Sequence, residues 1–200
     1  MDDLFVRTVN MNLKNDFKIL VVNSSPKKHG HTQKLLDAFL EECPKTAQIK
    51  YVLAFELNAK PCNDCGYCHK NNSCKFRDLD EFYKDFEVAD LIVFATPVYN
   101  FSFPAPLKSI FDRFQRYYNA RFTRNKKPPI SKKRNAVILS TCGSCDEYGF
   151  EVIKHQAKSA FTVLNVELCG FVGAKNTDFE EISNDDILKS KTLASLVFNK

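Results

Sequence analysis

The sequence predicts an α/β protein, a three-layer sandwich whose five-stranded parallel sheet is covered by helices on both faces. Three observations lead there. Five short apolar runs of strand length alternate with segments whose apolar residues recur at helical spacing. The 200 residues, 44% hydrophobic and 26% charged, suit one ordinary folded domain, with 18 Phe and no Trp to fill its core. Glycine is scarce, six in all, and its placement decides how the sheet is wound.

Residues 1–17 have no place in the alternation and are read as an N-terminal extension, a partly ordered segment rather than an arm gripping a partner subunit. Residues 18–200 form the domain. Lys18–Asn23 (KILVVN) is an apolar run entering a Ser-Ser-Pro loop, as a buried parallel strand does. From about Thr32 a helix follows, with Leu35, Leu36, Phe39, Leu40 and Cys43 on one face and Pro44 as its stop. Residues 49–57 read as the second strand, 58–78 as a cysteine-rich loop, 79–88 as a short helix and 90–96 (DLIVFAT) as the third strand. Leu107, Ile110, Phe111, Phe114, Tyr117 and Tyr118 then repeat at helical spacing. Arg134–Thr141 is the fourth strand. Phe150, Ile153, Ala157, Ala160, Phe161 and Leu164 mark another helix, and 166–172 the fifth strand. Ser183 with the acidic residues after it predicts an N-capped last helix to about Phe198.

Doubly wound sheets come in two common orders. Only Gly30 follows the first strand, so neither G-x-G-x-x-G nor G-x-x-x-x-G-K-[ST] is present. The flavodoxin-like order 2-1-3-4-5 remains.

The 29 Lys and Arg against 24 Asp and Glu leave a charge of +5, and a pI of 8.7 falls short of the value of about 9 that marks nucleic-acid-binding domains. The acidic start Met1-Asp2-Asp3 lacks the basic and apolar regions of a signal peptide, and the longest apolar runs are strand-length. The expectation is a soluble, cytoplasmic protein without nucleic-acid or membrane partners.

Loops after parallel strands emerge at one edge of the sheet, where ligands bind. Ser24, Ser25, Lys27, His31, Thr32 and Gln33 surround the start of a helix, with hydroxyls, cations and free amides suited to a phosphate; an ordinary polar loop with serine caps has the same composition. The loop at 97–104 is apolar and aromatic, which suits a flat ring or a neighbouring subunit. Thr141, Cys142 and Gly143 offer backbone that a ligand can approach closely. SSPKKHGHT, TPVYNFSFPAPLKSIFDR and TCG in these three loops resemble the NADPH-dependent FMN reductase group of flavodoxin-like proteins over roughly residues 18–173. The resemblance implies FMN, with Ser25, Lys27, His31, Thr32 and Gln33, and Ser24 beside them, around its phosphate. It places Pro97, Val98, Tyr99, Asn100, Phe101, Thr141, Cys142 and Gly143 along the ribityl chain and ring, Tyr99 and Asn100 nearest the reactive edge. Ser24 stands where Gly is common, Lys27 where Arg is, and His31 where Asn or Ser is. Each keeps a donor, so the expectation is tuned rather than lost phosphate binding.

Four of the eight cysteines, Cys62, Cys65, Cys68 and Cys74, fall in the pattern C-x2-C-x2-C-x5-C. Four thiolates on one short loop suit a [4Fe–4S] cluster, whose irons are spread out; zinc, the alternative, is usually held by two separate knuckles, and none other is evident nearby. His69, adjacent to Cys68, is poorly placed to share an ion. With the sheet order, this loop makes the chain resemble the iron–sulfur flavoproteins, which implies a homodimer or homotetramer with cluster and flavin close together. Two features weigh less. Cys142 and Cys145 have C-x-x-C spacing without the helix start of a thioredoxin-like pair. The run at 121–134 carries seven cations and no acid, and reads as a solvated loop before it reads as a surface steering anionic partners.

The functional expectation is an FMN-dependent oxidoreductase taking hydride from NAD(P)H, or electrons from a protein donor, and relaying them through the cluster to a small-molecule or protein acceptor. Flavin chemistry needs no catalytic acid or base, and none is nominated. The alternatives are a cluster-free NAD(P)H quinone or azo reductase, with zinc structural in the loop, and a flavodoxin-like electron carrier without its own substrate.

Overall fold

The computed structural model describes residues 4–7, 16–144 and 146–198. Its elements are β1 (Leu4–Val6), β2 (Lys18–Asn23), α1 (His31–Glu41), β3 (Gln48–Leu53), α2 (Tyr67–Lys70), α3 (Asp80–Val88), β4 (Leu91–Pro97), α4 (Ala105–Arg113), α5 (Gln115–Phe122), β5 (Arg134–Thr141), α6 (Tyr148–Leu164), β6 (Val166–Ala174) and α7 (Asn184–Val197). The sheet runs β1-β6-β5-β4-β2-β3. Its five parallel strands stand in the expected order 2-1-3-4-5. The sheet has six strands, not five: Leu4–Val6, inside the expected extension, pairs antiparallel with Gly170–Val172. An edge strand can attach late and antiparallel because it needs no crossover. The expectation for residues 8–15 lies outside the described residues.

Central strands are buried on both faces, which is why KILVVN and LIVFATP are continuous apolar runs. Alternate residues serve opposite layers. Leu20, Val22, Ile92 and Phe94 join the layer beneath α3 to α6, while Ile19, Val21, Leu91 and Val93 face α1 and α7. Phenylalanine fills the first layer, with Phe86 and Phe114 rings 4.9 Å apart and Phe103 and Phe111 rings 4.6 Å apart. The second parallel strand ends at Leu53, before the predicted limit, where Glu56 N–H turns back to Leu53 O. The single predicted helical face at 107–118 is two helices. Around Phe114 the bonds tighten to i→i−3, Phe114 N–H to Phe111 O and Tyr117 N–H to Phe114 O, and α5 departs toward the cysteine loop. The Ser183 cap is a full capping box with Asp186. Among the described residues no helix is long and apolar enough to cross a membrane.

The basic run is mostly exposed, as its composition suggests, but its last cation is not. Arg134 is fully buried, donating to Phe86 O at 2.8 Å and to Leu164 O, with its guanidinium 4.8 Å from the Phe86 ring centre. It ties the ends of α3 and α6 to the start of β5. Burial pushes it down to about 10, high enough to keep it charged at neutral pH. Lys132 pairs with Asp90, Lys133 with Glu167, and Arg124 donates to Cys68 O. Arg134→Met is expected to lower stability by about 3 kcal/mol, the scale of two hydrogen bonds from a charged donor to helix-end carbonyls; the midpoint of urea unfolding measures it.

Candidate cofactor site

The carboxyl ends of β2, β4, β5 and β6 bring their loops to one edge. Ser24 N–H bonds Ala95 O at 2.8 Å, and the Ser24 hydroxyl is buried against the same carbonyl. Asn23 Oδ1 accepts from Ser25 N–H at 2.8 Å, turning the chain toward α1. Gly30 is the N-cap of α1, and among the described residues no side chain bonds the free amides there, so the helix presents donors and the positive end of its dipole. His31 Nδ1 is buried without a hydrogen bond, 3.8 Å from Glu181 Oε2. The Lys34 hydrogen bond at 2.5 Å holds the Glu181 carboxyl below its ordinary value.

The predicted phosphate residues divide into two groups. Ser25, Lys27 and His31 remain around the helix start. Thr32 Oγ1 instead meets Thr141 Oγ1 at 2.8 Å, both buried, and locks the first loop to the third. The Gln33 amide is engaged by Asn23, Tyr51 and Asp37, in a neighbouring cavity of about 290 Å3 that also touches Ser25, Lys28 and Phe55.

In the aromatic loop, Val98 N–H bonds Thr141 O at 2.8 Å, and Tyr99 and Ser102 exchange two backbone bonds of 2.9 Å. The two residues between them, Asn100 and Phe101, have φ of 49° and 59°. Two left-handed residues in succession make a type I′ turn. Asn accepts that region readily and Phe does not, the kind of backbone strain that concentrates at ligand sites. Tyr99 and Phe101 stay 43% and 46% exposed, and the Phe101 ring meets Tyr148, 63% exposed, at 5.6 Å. The loop thus ends in an open aromatic rim.

At the third loop, Cys142 N–H bonds Ala174 O at 2.8 Å. A Cβ at Gly143 would lie 2.0 Å from Asp178 Oδ2. The residues after β6 were not expected in the site, although the same edge rule points to them. Thr177 and Asp178 N–H groups bond the carbonyls of Cys142 and Gly143, closing this segment on the third loop. Cys145 and its pairing with Cys142 lie outside the described residues; Cys142 itself is buried, 3.5 Å from Ser144 Oγ.

The cysteine loop folds over the start of α5. Cys62, Cys65, Cys68 and Cys74 all line one small cavity of about 20 Å3 with Phe76, Arg113 and Gln115. Among the described residues no three His, Cys, Asp or Glu side chains gather as a single-ion site. The loop is tied at its base by a residue that sequence reasoning missed. Arg113, 1% exposed, donates to Lys60 O and Phe76 O at 2.9 Å and to both oxygens of Asp78 at 3.0 and 3.2 Å. Asp78 also accepts from Lys60 N–H at 2.8 Å. Burial pushes the Asp78 carboxyl up, but the Arg113 and Lys60 hydrogen bonds prevail and hold it below its ordinary value of 3.8. A lone arginine on the apolar face of the α4 segment was the available signal.

The pattern of one protein family, described as NADPH-dependent FMN reductase, matches residues 17–168. An iron-sulfur flavoprotein of Methanosarcina thermophila is 35% identical over 98 residues, 48% of this chain and about half, 51%, of that protein's length. One of Archaeoglobus fulgidus is 31% identical over 182 residues, 90% of this chain and 78% of that protein. Among solved structures, an NAD(P)H:quinone oxidoreductase from Methanothermobacter marburgensis is similar in fold, with a TM-score of 0.65 at 16% identity over 90% of this chain and 94% of that one.

Proposed function

The chain belongs to the NADPH-dependent FMN reductase family, and with it to the FMN-dependent oxidoreductases; on that premise we propose that it binds FMN at the strand-end loops and a [4Fe–4S] cluster on Cys62, Cys65, Cys68 and Cys74. The observation that carries the flavin assignment is the convergence at one edge of an uncapped helix start, a His31 Nδ1 without a hydrogen bond and a strained, open aromatic turn. An anion accepting from the α1 amides and from His31 would satisfy donors left without a hydrogen bond among the described residues.

Bound FMN supplies hydride chemistry, and the cluster supplies one-electron exchange. The residues of the chain bind and orient. Ser25, Lys27, His31 and the α1 amides hold the phosphate, while Ser24, Thr32 and Gln33 shape the loop through their bonds to Ala95, Thr141 and Asn23. Pro97, Val98, Tyr99, Asn100 and Phe101, with Thr141, Cys142 and Gly143, border the ribityl chain and ring. The rim of Tyr99, Phe101 and Tyr148 leaves room for a nicotinamide or a planar acceptor to stack. NAD(P)H is the donor in this reading, the acceptor is a small molecule or a protein, and the assembly is a homodimer or homotetramer. The names of the two iron-sulfur flavoprotein relatives support the cluster.

Iron, zinc and flavin per chain in anaerobically purified protein, with NADPH oxidation followed in the same preparation, test both assignments. About four irons and one FMN are expected. Cys65→Ser is expected to lose most of the iron and keep the flavin. Flavin with zinc, or with no metal, would leave a cluster-free quinone or azo reductase; no flavin would overturn the proposal.

A further inference from the structure

Asn119 lies on α5, 3% exposed, a buried polar side chain among the ring-rich packing of that helix. Its Nδ2 donates to Cys68 Sγ at 3.2 Å, and its Oδ1 accepts from Thr123 Oγ1 at 3.1 Å. The two partners orient the amide. A sulfur that ligates a cluster only accepts, so in the cluster-bound protein the edge toward Cys68 is the NH2 group, with the Thr123 hydroxyl donating to the carbonyl side. Arg124, two residues beyond the end of α5, donates to Cys68 O. Cys68 is therefore held at its sulfur by α5 and at its backbone by the turn that follows it. Among the described residues no side chain donates to the sulfur of Cys62, Cys65 or Cys74.

We propose that Asn119 is a positioning residue that raises the reduction potential of the cluster through its hydrogen bond to Cys68. The inference rests on the reading of the four-cysteine loop as a [4Fe–4S] site. Adding one electron increases the negative charge shared by the cluster and its ligating sulfurs, so an N–H aimed at one sulfur stabilises the reduced state more than the oxidised one. Asn119 is buried and Cys68 half-buried, so water competes for the bond from the sulfur side alone, which strengthens that difference. The amide is neutral and carries no proton in the exchange.

The test is a potentiometric titration of the full-length protein, reconstituted anaerobically with iron and sulfide, using dithionite as reductant and the EPR signal of the reduced cluster as readout. Asn119→Leu removes the donor at similar volume. Thr123→Val, at an exposed position, keeps the amide but frees its orientation. Asn119→Leu is expected to retain the wild-type iron content and to lower the reduction equilibrium about tenfold, about 59 mV more negative for one electron. Thr123→Val is expected to shift the same way by less. Unshifted midpoints with full iron in both variants would overturn the inference and leave the cluster assignment standing. If Asn119→Leu fails to fold or to take up iron, Thr123→Val decides alone by the same criterion: a negative shift supports the role and none overturns it. A wild-type protein that takes up no iron would overturn both.

Discussion

Replacing Arg113 with Met is expected to destabilise the protein by about 3 kcal/mol, the scale of losing several hydrogen bonds from a buried charged donor. The change would leave Asp78 without its cation and Lys60 O and Phe76 O without their donor. Those carbonyls flank Cys62 and Cys74, so the loop would lose its fixed base along with the stability. Urea unfolding reads the first effect, and proteolytic nicking between residues 60 and 78 reads the second. Asp78→Asn is the milder partner change, and its cost should depend on pH. The folded carboxyl titrates below its unfolded value. Its contribution is therefore fully present above the unfolded value and is lost as pH falls through the folded one. Wild type and Asp78→Asn should differ near neutrality and converge in acid. A difference that stays constant through the acid range would show that the Arg113 pair is not its source.

Gly149→Val is expected to release flavin from an otherwise folded protein. Gly149 is in the first turn of α6, and a Cβ there would approach Val98 Cγ1 to 2.8 Å. Val98 has little room to retreat, since its N–H is bonded to Thr141 O. The added side chain must therefore displace the aromatic turn or the helix start. Overpacking of this kind costs about 1–3 kcal/mol, and here the strain falls on the loop assigned to the flavin ring. FMN fluorescence titration should show affinity weakened about tenfold or more, the equivalent of about 1.4 kcal/mol. Unchanged FMN affinity in the folded variant would mean that the turn at 98–101 does not border the flavin.

The alternation of strands and helices was legible because parallel strands buried on both faces have to be apolar runs, and helices covering them have to repeat at their own period. Arg134–Thr141 was read to the residue, and Ser183 as a cap, because each depends on local chemistry. Leu4–Val6 was not legible as a strand. Three residues are too few to show a period, and their pairing with β6 is set by an edge that exists only once the sheet is built.

The sequence by itself determined the layered fold, the edge at which its loops gather and the cysteine spacing, since these follow from local periodicity and from the direction of parallel strands. Only the tertiary structure decided how individual donors are used. Thr32 meets Thr141 across 109 positions, Arg113 reaches Asp78 across 35, and Asn119 reaches Cys68 across 51. A polar side chain has few hydrogen bonds to give, and packing brings its distant competitors within reach. Composition could therefore identify a phosphate-like loop and a four-thiol loop. It could not show that Thr32 and Gln33 are already engaged, that Arg134 in a basic run is buried, or that a neutral amide faces one of four sulfurs.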